Sequence, residues 1–234
     1  NQIEFRFFRA DYVIVRQTAL HRLQEGVSFQ QGAMAEPLCV AVHAVMEKSI
    51  VTSSDTVLVT GPGAIGQLVA QVARLSGASV IVAGTSSDRE RLEVAIAAGA
   101  EHYIFSDQED CSAALRHITD GRGVDLAFEC AGAGPAIRFC LSAVRKGGQV
   151  VQVGLAGCTL ETDYDLICLK EITLKGSFTH NHRSWKTSVG LLNDQRLNLD
   201  SLVSGVFPLE EWRTAFELFE RAAGLKYLLS PHTV

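Results

Sequence analysis

No two of the six cysteines in this 234-residue chain form a Cys-x-x-Cys pair, which argues against a structural zinc site of that spacing. No apolar run is long enough to span a bilayer, so no membrane segment is expected. There is no basic block. Lys and Arg total 21 against 26 acidic residues, for a net charge of −5 and a pI of about 5.8. Neither nucleic acid nor an anionic membrane surface is an expected partner. Internal repeats and low-complexity tracts are absent, and Asn1 does not open a secretory signal,. Most of the cysteines (Cys39, Cys111, Cys130, Cys140, Cys158, Cys168) stand in apolar stretches and read as reduced core thiols. A reducing compartment, the cytoplasm, follows.

What the chain does have is ordinary core material. It is 47% hydrophobic and 20% charged, enough for one large domain or one domain plus pieces of another. The opening, NQIEFRFFRADYVIV, lacks an initiating methionine, and Tyr12–Val15 reads as a strand. Residues 19–33 read as a connecting loop and Met34–Ser49 as a helix. Strands and helices then alternate. Thr56–Thr60 is a continuous apolar run of the kind buried on both faces,. Ile65, Leu68, Val69, Val72 and Leu75 follow at helical spacing, with Gly77 as the stop,. Further strands are expected at Ser79–Ala83, His102–Phe105, Val124–Cys130, Gln149–Gly154 and Ile172–Phe178. Helices are expected after Ser87, with a Ser87-x-x-Glu90 capping box, at Cys111–Thr119 and at Pro135–Val144,. Such alternation predicts an α/β fold with a doubly wound, six-stranded parallel sheet.

Between the first strand and its helix stands Gly61-Pro62-Gly63-Ala64-Ile65-Gly66, a G-x-G-x-x-G turn in the right context. Gly61 permits the tight turn, Gly63 lets a pyrophosphate approach the backbone, and Gly66 lets the helix pack on the strand. Free N–H groups at the helix start, from Ala64 onward, then face the phosphate oxygens. The pattern predicts a bound dinucleotide.

About 20 residues on, an acidic side chain would accept from a ribose 2′-hydroxyl. Here the strand ends in Gly84-Thr85-Ser86. Thr85 and Ser86 leave room for a 2′-phosphate, and Arg89 stands where it could pair with one, so NADP is favoured over NAD. On the other reading Ser87 caps the helix, Arg89 is a solvated charge and Asp88 is the acidic partner of an NAD ribose.

At this point the sequence resembles the medium-chain dehydrogenase/reductase superfamily, in its zinc-dependent alcohol/polyol (sorbitol, threonine) dehydrogenase branch. The resemblance runs from about Tyr12 to Pro231. It is carried by GAMAEPLCVAVHAV (32–45), GPGAIGQLVAQVAR (61–74), GVDLAFECAG (123–132), KGGQVVQVGL (146–155), ITLKGSF (172–178) and FPLEEWRTAFELF (207–219). It implies hydride transfer between a secondary alcohol or polyol and the C4 carbon of the nicotinamide, with zinc polarising the oxygen. Family members place a GroES-like domain ahead of the nucleotide-binding domain, with a catalytic cysteine, a Gly-His-Glu motif and often four structural cysteines. This sequence has none of these. The resemblance thus implies a fragment, with residues 1–36 a remnant of the GroES-like domain, 37–179 the Rossmann domain and 180–234 a segment returning toward the first. On this reading zinc belongs to the intact parent, and the chain as given is inactive.

Glu36 of Glu-Pro-Leu matches the family carboxylate beside the catalytic zinc, and is the one catalytic and metal residue carried over. Its other reading is a helix-start acid, favoured there with Pro37 by the helix dipole. Glu36, Cys39 and His43 share a helical face, but His43 and Cys39 read as packing residues and His180-Asn181-His182 as surface. The resemblance also places Ala131 beside the adenosine ribose, Val153 and Leu155 at the nicotinamide, Ser177 and Phe178 at its carboxamide, and Lys226 at the pyrophosphate. It implies a homodimer through Ile172–Phe178. The alternatives are a zincless quinone or enone reductase of the same superfamily and a non-enzymatic NADP-binding module.

Overall fold

The computed structural model describes residues 14–108 and 111–231. The chain builds α1 (Phe29–Ala33) and α2 (Ala35–Val42), the latter running into a π-turn at His43–Glu47. Then come β1 (Thr56–Thr60), α3 (Ala64–Leu75), β2 (Ser79–Gly84), α4 (Arg89–Ala97), β3 (His102–Phe105) and α5 (Cys111–Ile118). These are followed by β4 (Val124–Glu129), α6 (Gly134–Ala143), β5 (Val144–Gln152), α7 (Asp165–Leu169) and β6 (Thr173–Gly176). The described residues end with α8 (His182–Asn193), β7 (Val203–Pro208), α9 (Trp212–Glu220) and β8 (Lys226–Ser230).

Six strands pair in the order β3-β2-β1-β4-β5-β6, every pairing parallel. Alternate residues of each central strand serve opposite faces. Val57, Val59, Val80 and Val82 pack with Leu38, Leu68, Val72, Leu92 and Leu192, so α2, α3, α4 and α8 cover one face. Leu58, Ile81 and Ala127 pack with Leu115, Phe139 and Leu141, so α5 and α6 cover the other. Full burial of a side chain such as Leu58 or Phe128 stabilises the fold by about 1.5–3 kcal/mol. Separately, β7 and β8 form a two-stranded parallel sheet with α9 as the crossover.

The expected architecture stands, with local corrections. Residues 19–33 are not simply a loop: Ser28 caps α1, accepting from the Gln31 N–H while the Gln31 side chain accepts from the Ser28 N–H. The box before α4 is not Ser87 with Glu90. It is Thr85 with Asp88, two residues earlier, over a 3₁₀ turn at Ser86–Asp88. The strand expected at Tyr12–Val15 lies partly outside the described residues, and Ile14 and Val15 are exposed and not in a strand. β5 starts earlier than expected because Val144 already pairs with Val124, before an irregularity that resumes pairing at Gln149 with Leu126. Cys158 and Cys168 are exposed rather than core; all six cysteines are free.

At the amino ends of the central strands, the buried carboxylate of Asp125 accepts from the Thr56 N–H at 2.8 Å, from Arg145 at 2.7 Å and from Arg122 at 2.8 and 2.9 Å. Burial alone raises its carboxyl pKa, but these donors outweigh that and hold it below the usual carboxylate range,.

Candidate dinucleotide site

In an open parallel sheet the ligand crevice lies beyond the carboxyl ends, where the strand order reverses. Here that is between β1 and β4. Gly61 leaves β1 at φ +84°, and a Cβ on it would stand 2.7 Å from the Ala131 nitrogen. The first glycine and Ala131 therefore meet across the reversal point. Gly63, in extended conformation at φ −73° and ψ −179°, caps α3 without a side-chain bond. A Cβ there would meet nothing within 4 Å. The first N–H groups of α3, from Ala64, Ile65 and Gly66, have no acceptor one turn back in the helix. A Cβ on Gly66 would collide with the Gly61 carbonyl oxygen. The middle glycine thus keeps open space in front of free donors, while the outer two serve close packing.

Beneath the crevice sits Glu129, a fully buried carboxylate at the end of β4. It accepts from the Ala131 and Gly132 N–H groups, both at 2.9 Å, and from the side-chain amide of Gln152. Its own carbonyl accepts from the Val153 and Gly154 N–H groups at 2.8 Å. Gln152 also donates to the Gly154 carbonyl at 2.8 Å. One residue therefore ties the loop after β4, with Ala131, to the loop after β5, with Val153 and Leu155. Ser177 joins them, its N–H donating to the Gln152 carbonyl at 2.8 Å. Its hydroxyl oxygen is buried without a hydrogen-bond partner. A polar atom left so is costly unless a ligand satisfies it. Leu155 and Phe178 are exposed on the same edge. The open cradle at Gly63 and the orphaned Ser177 hydroxyl both fit a dinucleotide. Lys226 begins β8, where it lines a cavity of about 210 Å³ with Phe216, Phe219 and Tyr227.

At the end of β2, Gly84 packs on Pro62 of the glycine turn, so closely that a Cβ on it would stand 2.8 Å from the proline ring. The Thr85 N–H and hydroxyl donate to Asp88 at 3.0 and 2.8 Å. Asp88 also pairs with Arg91 at 3.2 Å. The Ser86 N–H and hydroxyl donate to Asp107, at 2.8 and 2.6 Å. The Arg89 guanidinium lies over the Phe105 ring, 4.8 Å from its centre.

Glu36 lies in the first turn of α2, largely exposed, with one carboxylate oxygen 3.3 Å from His180 Nε2. The surface reading of His180 is thereby corrected: it is half-buried and faces Glu36. Cys39 is buried, and burial pushes its thiol up to about 11. His43 is engaged by Glu47, 3.1 Å from its Nδ1. Among the described residues no three His, Cys, Asp or Glu side chains come together as metal ligands. The described residues do not complete a zinc site.

Sequence reasoning missed Asp107, Glu129 and the Glu36–His180 pair. Glu129 was visible as a charged residue closing an apolar strand. Asp107 and His180 carried no local signal, because each meets its partner through the pairing or packing of distant segments.

A parallel sheet of this order, opened by a glycine turn at its reversal point, defines a Rossmann-type nucleotide-binding domain. The family described as zinc-binding dehydrogenase matches residues 64–194, and the chain belongs to it. The chain is 39% identical over 223 residues to a sorbitol dehydrogenase of Halalkalibacterium halodurans, covering 95% of this chain and 65% of that protein. It is 36% identical over 221 residues to a D-arabitol-phosphate dehydrogenase of Enterococcus avium, covering 94% and 63%. The chain thus spans less than two thirds of either relative. A zinc-binding dehydrogenase of Sinorhizobium meliloti 1021 bound to NADP superposes with a TM-score of 0.78 at 25% identity, over 89% of this chain and 61% of that one. An alcohol dehydrogenase of Escherichia coli CFT073 in complex with NADH superposes with a TM-score of 0.79 at 25% identity, over 90% and 62%.

Proposed function

We propose that this chain is the nicotinamide-dinucleotide-binding part of a dehydrogenase that moves hydride between a secondary alcohol or polyol and the C4 carbon of NADP or NAD. The observation that carries the reading is the open space at Gly63, in front of the free N–H groups of α3 and across from Ala131. In this role Gly61, Gly63, Ala64, Ile65 and Gly66 receive the pyrophosphate. Thr85, Ser86 and Arg89 face the adenosine ribose, and Ala131 lies beside it. Val153, Leu155, Ser177 and Phe178 bind the nicotinamide end, where the Ser177 hydroxyl gains its missing partner. Lys226 reaches toward the pyrophosphate from β8. The chain's own contribution to the chemistry is to bind and orient the dinucleotide.

The domain reading goes with it: residues 37–179 are the nucleotide-binding unit, while 1–36 and 180–234 belong to the junction with a catalytic domain. Glu36 is the residue this chain offers toward the family's zinc, whose remaining ligands it does not contain. A polyol substrate is supported by the sorbitol and arabitol-phosphate relatives. A homodimer through β6 is supported by that strand's place at the sheet edge and by the exposure of its four residues,. A cytoplasmic location accords with six free cysteines,. No described helix is long and apolar enough to cross a membrane.

Calorimetric titration of the chain with NADH and NADPH tests the proposal. Saturable one-to-one binding of either nucleotide is expected, and no binding of either would end it.

A further inference from the structure

The choice between the two dinucleotides turns on what holds the donors at the end of β2. A 2′-phosphate would draw on the Thr85 and Ser86 N–H and hydroxyl groups and on a nearby guanidinium. The Thr85 and Ser86 donors do not stand free in the structure. Ser86 gives both its N–H and its hydroxyl to the two oxygens of Asp107, at 2.8 and 2.6 Å. Thr85 gives both of its own to Asp88. Arg91 is taken up by Asp88 and by the carbonyls of Ala222 and Gly224, at 2.6 and 2.8 Å. Arg89 lies on Phe105.

Strand pairing makes this arrangement. β3 pairs with β2 so that Gly84 stands beside Phe105, and the residues that follow each strand leave the sheet side by side. The Ser106 N–H donates to the Gly84 carbonyl at 2.7 Å, which brings Asp107 onto Ser86. Since Gly84 also packs on Pro62 of the glycine turn, this carboxylate stands at the end of β2, the place of the adenosine ribose when a dinucleotide lies on that turn.

We propose that Asp107, reaching over from the strand next door, is the residue that selects NAD over NADP in this chain; the inference rests on the dinucleotide reading above. Asp107 occupies with its own carboxylate the two Ser86 donors a 2′-phosphate would draw on. It also adds a second negative charge beside Asp88. A ribose with a free 2′-hydroxyl can donate to that carboxylate, whereas a 2′-phosphate is repelled and finds the Thr85 and Ser86 donors taken,. The hydrogen bonds from Ser86 hold the Asp107 carboxyl below its usual range, so it is charged wherever the protein is assayed near neutrality. Discrimination thus depends on a residue outside the usual segment at the end of the second strand. The Gly-Thr-Ser sequence, which by itself favours NADP, is overridden by a partner 21 positions away.

The test is calorimetric titration of wild type, Asp107→Ala and Ser86→Ala with NADH and NADPH, with 5′-ADP and 2′,5′-ADP as fragments that isolate the 2′ group. Wild type is expected to bind NADH at least about tenfold tighter than NADPH. Asp107→Ala should improve NADPH and 2′,5′-ADP by about ten- to a hundredfold, the worth of one charge-assisted contact, while weakening 5′-ADP and NADH, whose 2′-hydroxyl loses its acceptor. Ser86→Ala should not reproduce that gain, because the repelling charge remains. Thermal melting of each variant checks that the fold is kept, and Asp107 is exposed. A wild type that prefers NADPH, or an unchanged NADH-to-NADPH ratio in Asp107→Ala, would overturn the assignment to Asp107 while leaving the dinucleotide site standing. Failure of every one of these nucleotides to bind would overturn both.

Discussion

A Cβ on Gly66 would run into the carbonyl oxygen of Gly61, whereas one on Gly63, between them, would meet nothing. Three glycines of one motif therefore answer to different constraints, and they can be separated experimentally. Gly66→Ala forces backbone apart and should cost about 1–3 kcal/mol of stability, as overpacking does. Gly63→Val should leave the melting temperature close to wild type, because its backbone is extended and its surroundings open. It should weaken dinucleotide binding by about a hundredfold or more, since the branched side chain fills the pyrophosphate's place. Paired melting and calorimetry check this. Unaltered affinity in folded Gly63→Val would remove the cofactor site from the glycine turn.

Glu129 is the hinge between the loops that carry Ala131 and Val153. Glu129→Gln keeps one acceptor but turns an amide N–H₂ toward donors, either the Ala131 and Gly132 N–H groups or the Gln152 amide, which would lose the acceptor they have in Glu129. An unmet buried group costs about 1–3 kcal/mol. The loops should loosen, so dinucleotide affinity is expected to fall together with stability. Hydrogen exchange should show the extra opening at residues 130–132 and 152–154 rather than across the sheet.

Asp125 gives the chain a predictable acid response. Its carboxyl titrates lower folded than unfolded. The stability it contributes is therefore present above the unfolded value and is lost as pH falls through the folded one. Asp125→Asn should cost about 2 kcal/mol at neutral pH, a figure moderated by the solvent exposure of both arginines,. That cost should shrink on acidification until mutant and wild type converge. Urea melts of both proteins across the acid range check the sign, and a gap that widens at low pH would contradict it.

Metal analysis bears on Glu36. With no three ligands gathered among the described residues, the purified chain is expected to hold no stoichiometric zinc. One tightly bound zinc per chain would mean that Glu36 and His180, 3.3 Å apart, recruit a further ligand.

The alternation of strands and helices was legible because each central strand is an apolar run long enough to be buried on both faces, and each helix carries its own period and stop. The glycine turn was legible for the same reason: its constraints are local. What escaped was what strand pairing creates. Thr85 and Ser86 look free in sequence because Asp107 approaches from β3. Glu36 looks isolated because His180 arrives from beyond β6. The cap before α4 was misplaced by two residues because Ser87 and Thr85 are both hydroxyl residues with an acid three positions on. Only the backbone geometry decides between them. Helix α8 went unread, although its Leu191 and Leu192 complete the core beside α2, because its polar face dominates the segment.

The last prediction concerns the edge of the sheet. In a parallel strand, successive N–H groups point alternately to the two sides. The Ser177 N–H points inward, to the Gln152 carbonyl. By alternation Lys175 and Thr173 also face β5, while the N–H groups of Leu174 and Gly176 face outward, where β6 has no neighbouring strand. Leu174 is itself exposed, and Leu155, Tyr164, Leu169 and Phe178 are exposed large apolar residues as well. If two copies join their β6 strands across a twofold axis, Leu174→Pro removes an outward donor and puts a ring in the seam, yet leaves the bonds to β5 intact. Thr173→Pro would instead strike the inward face and the fold with it. Sedimentation equilibrium is expected to show a dimer for wild type and a folded monomer for Leu174→Pro. A wild type that stays monomeric at high micromolar concentration, or a Leu174→Pro variant that dimerises as well as wild type, would take the interface away from β6.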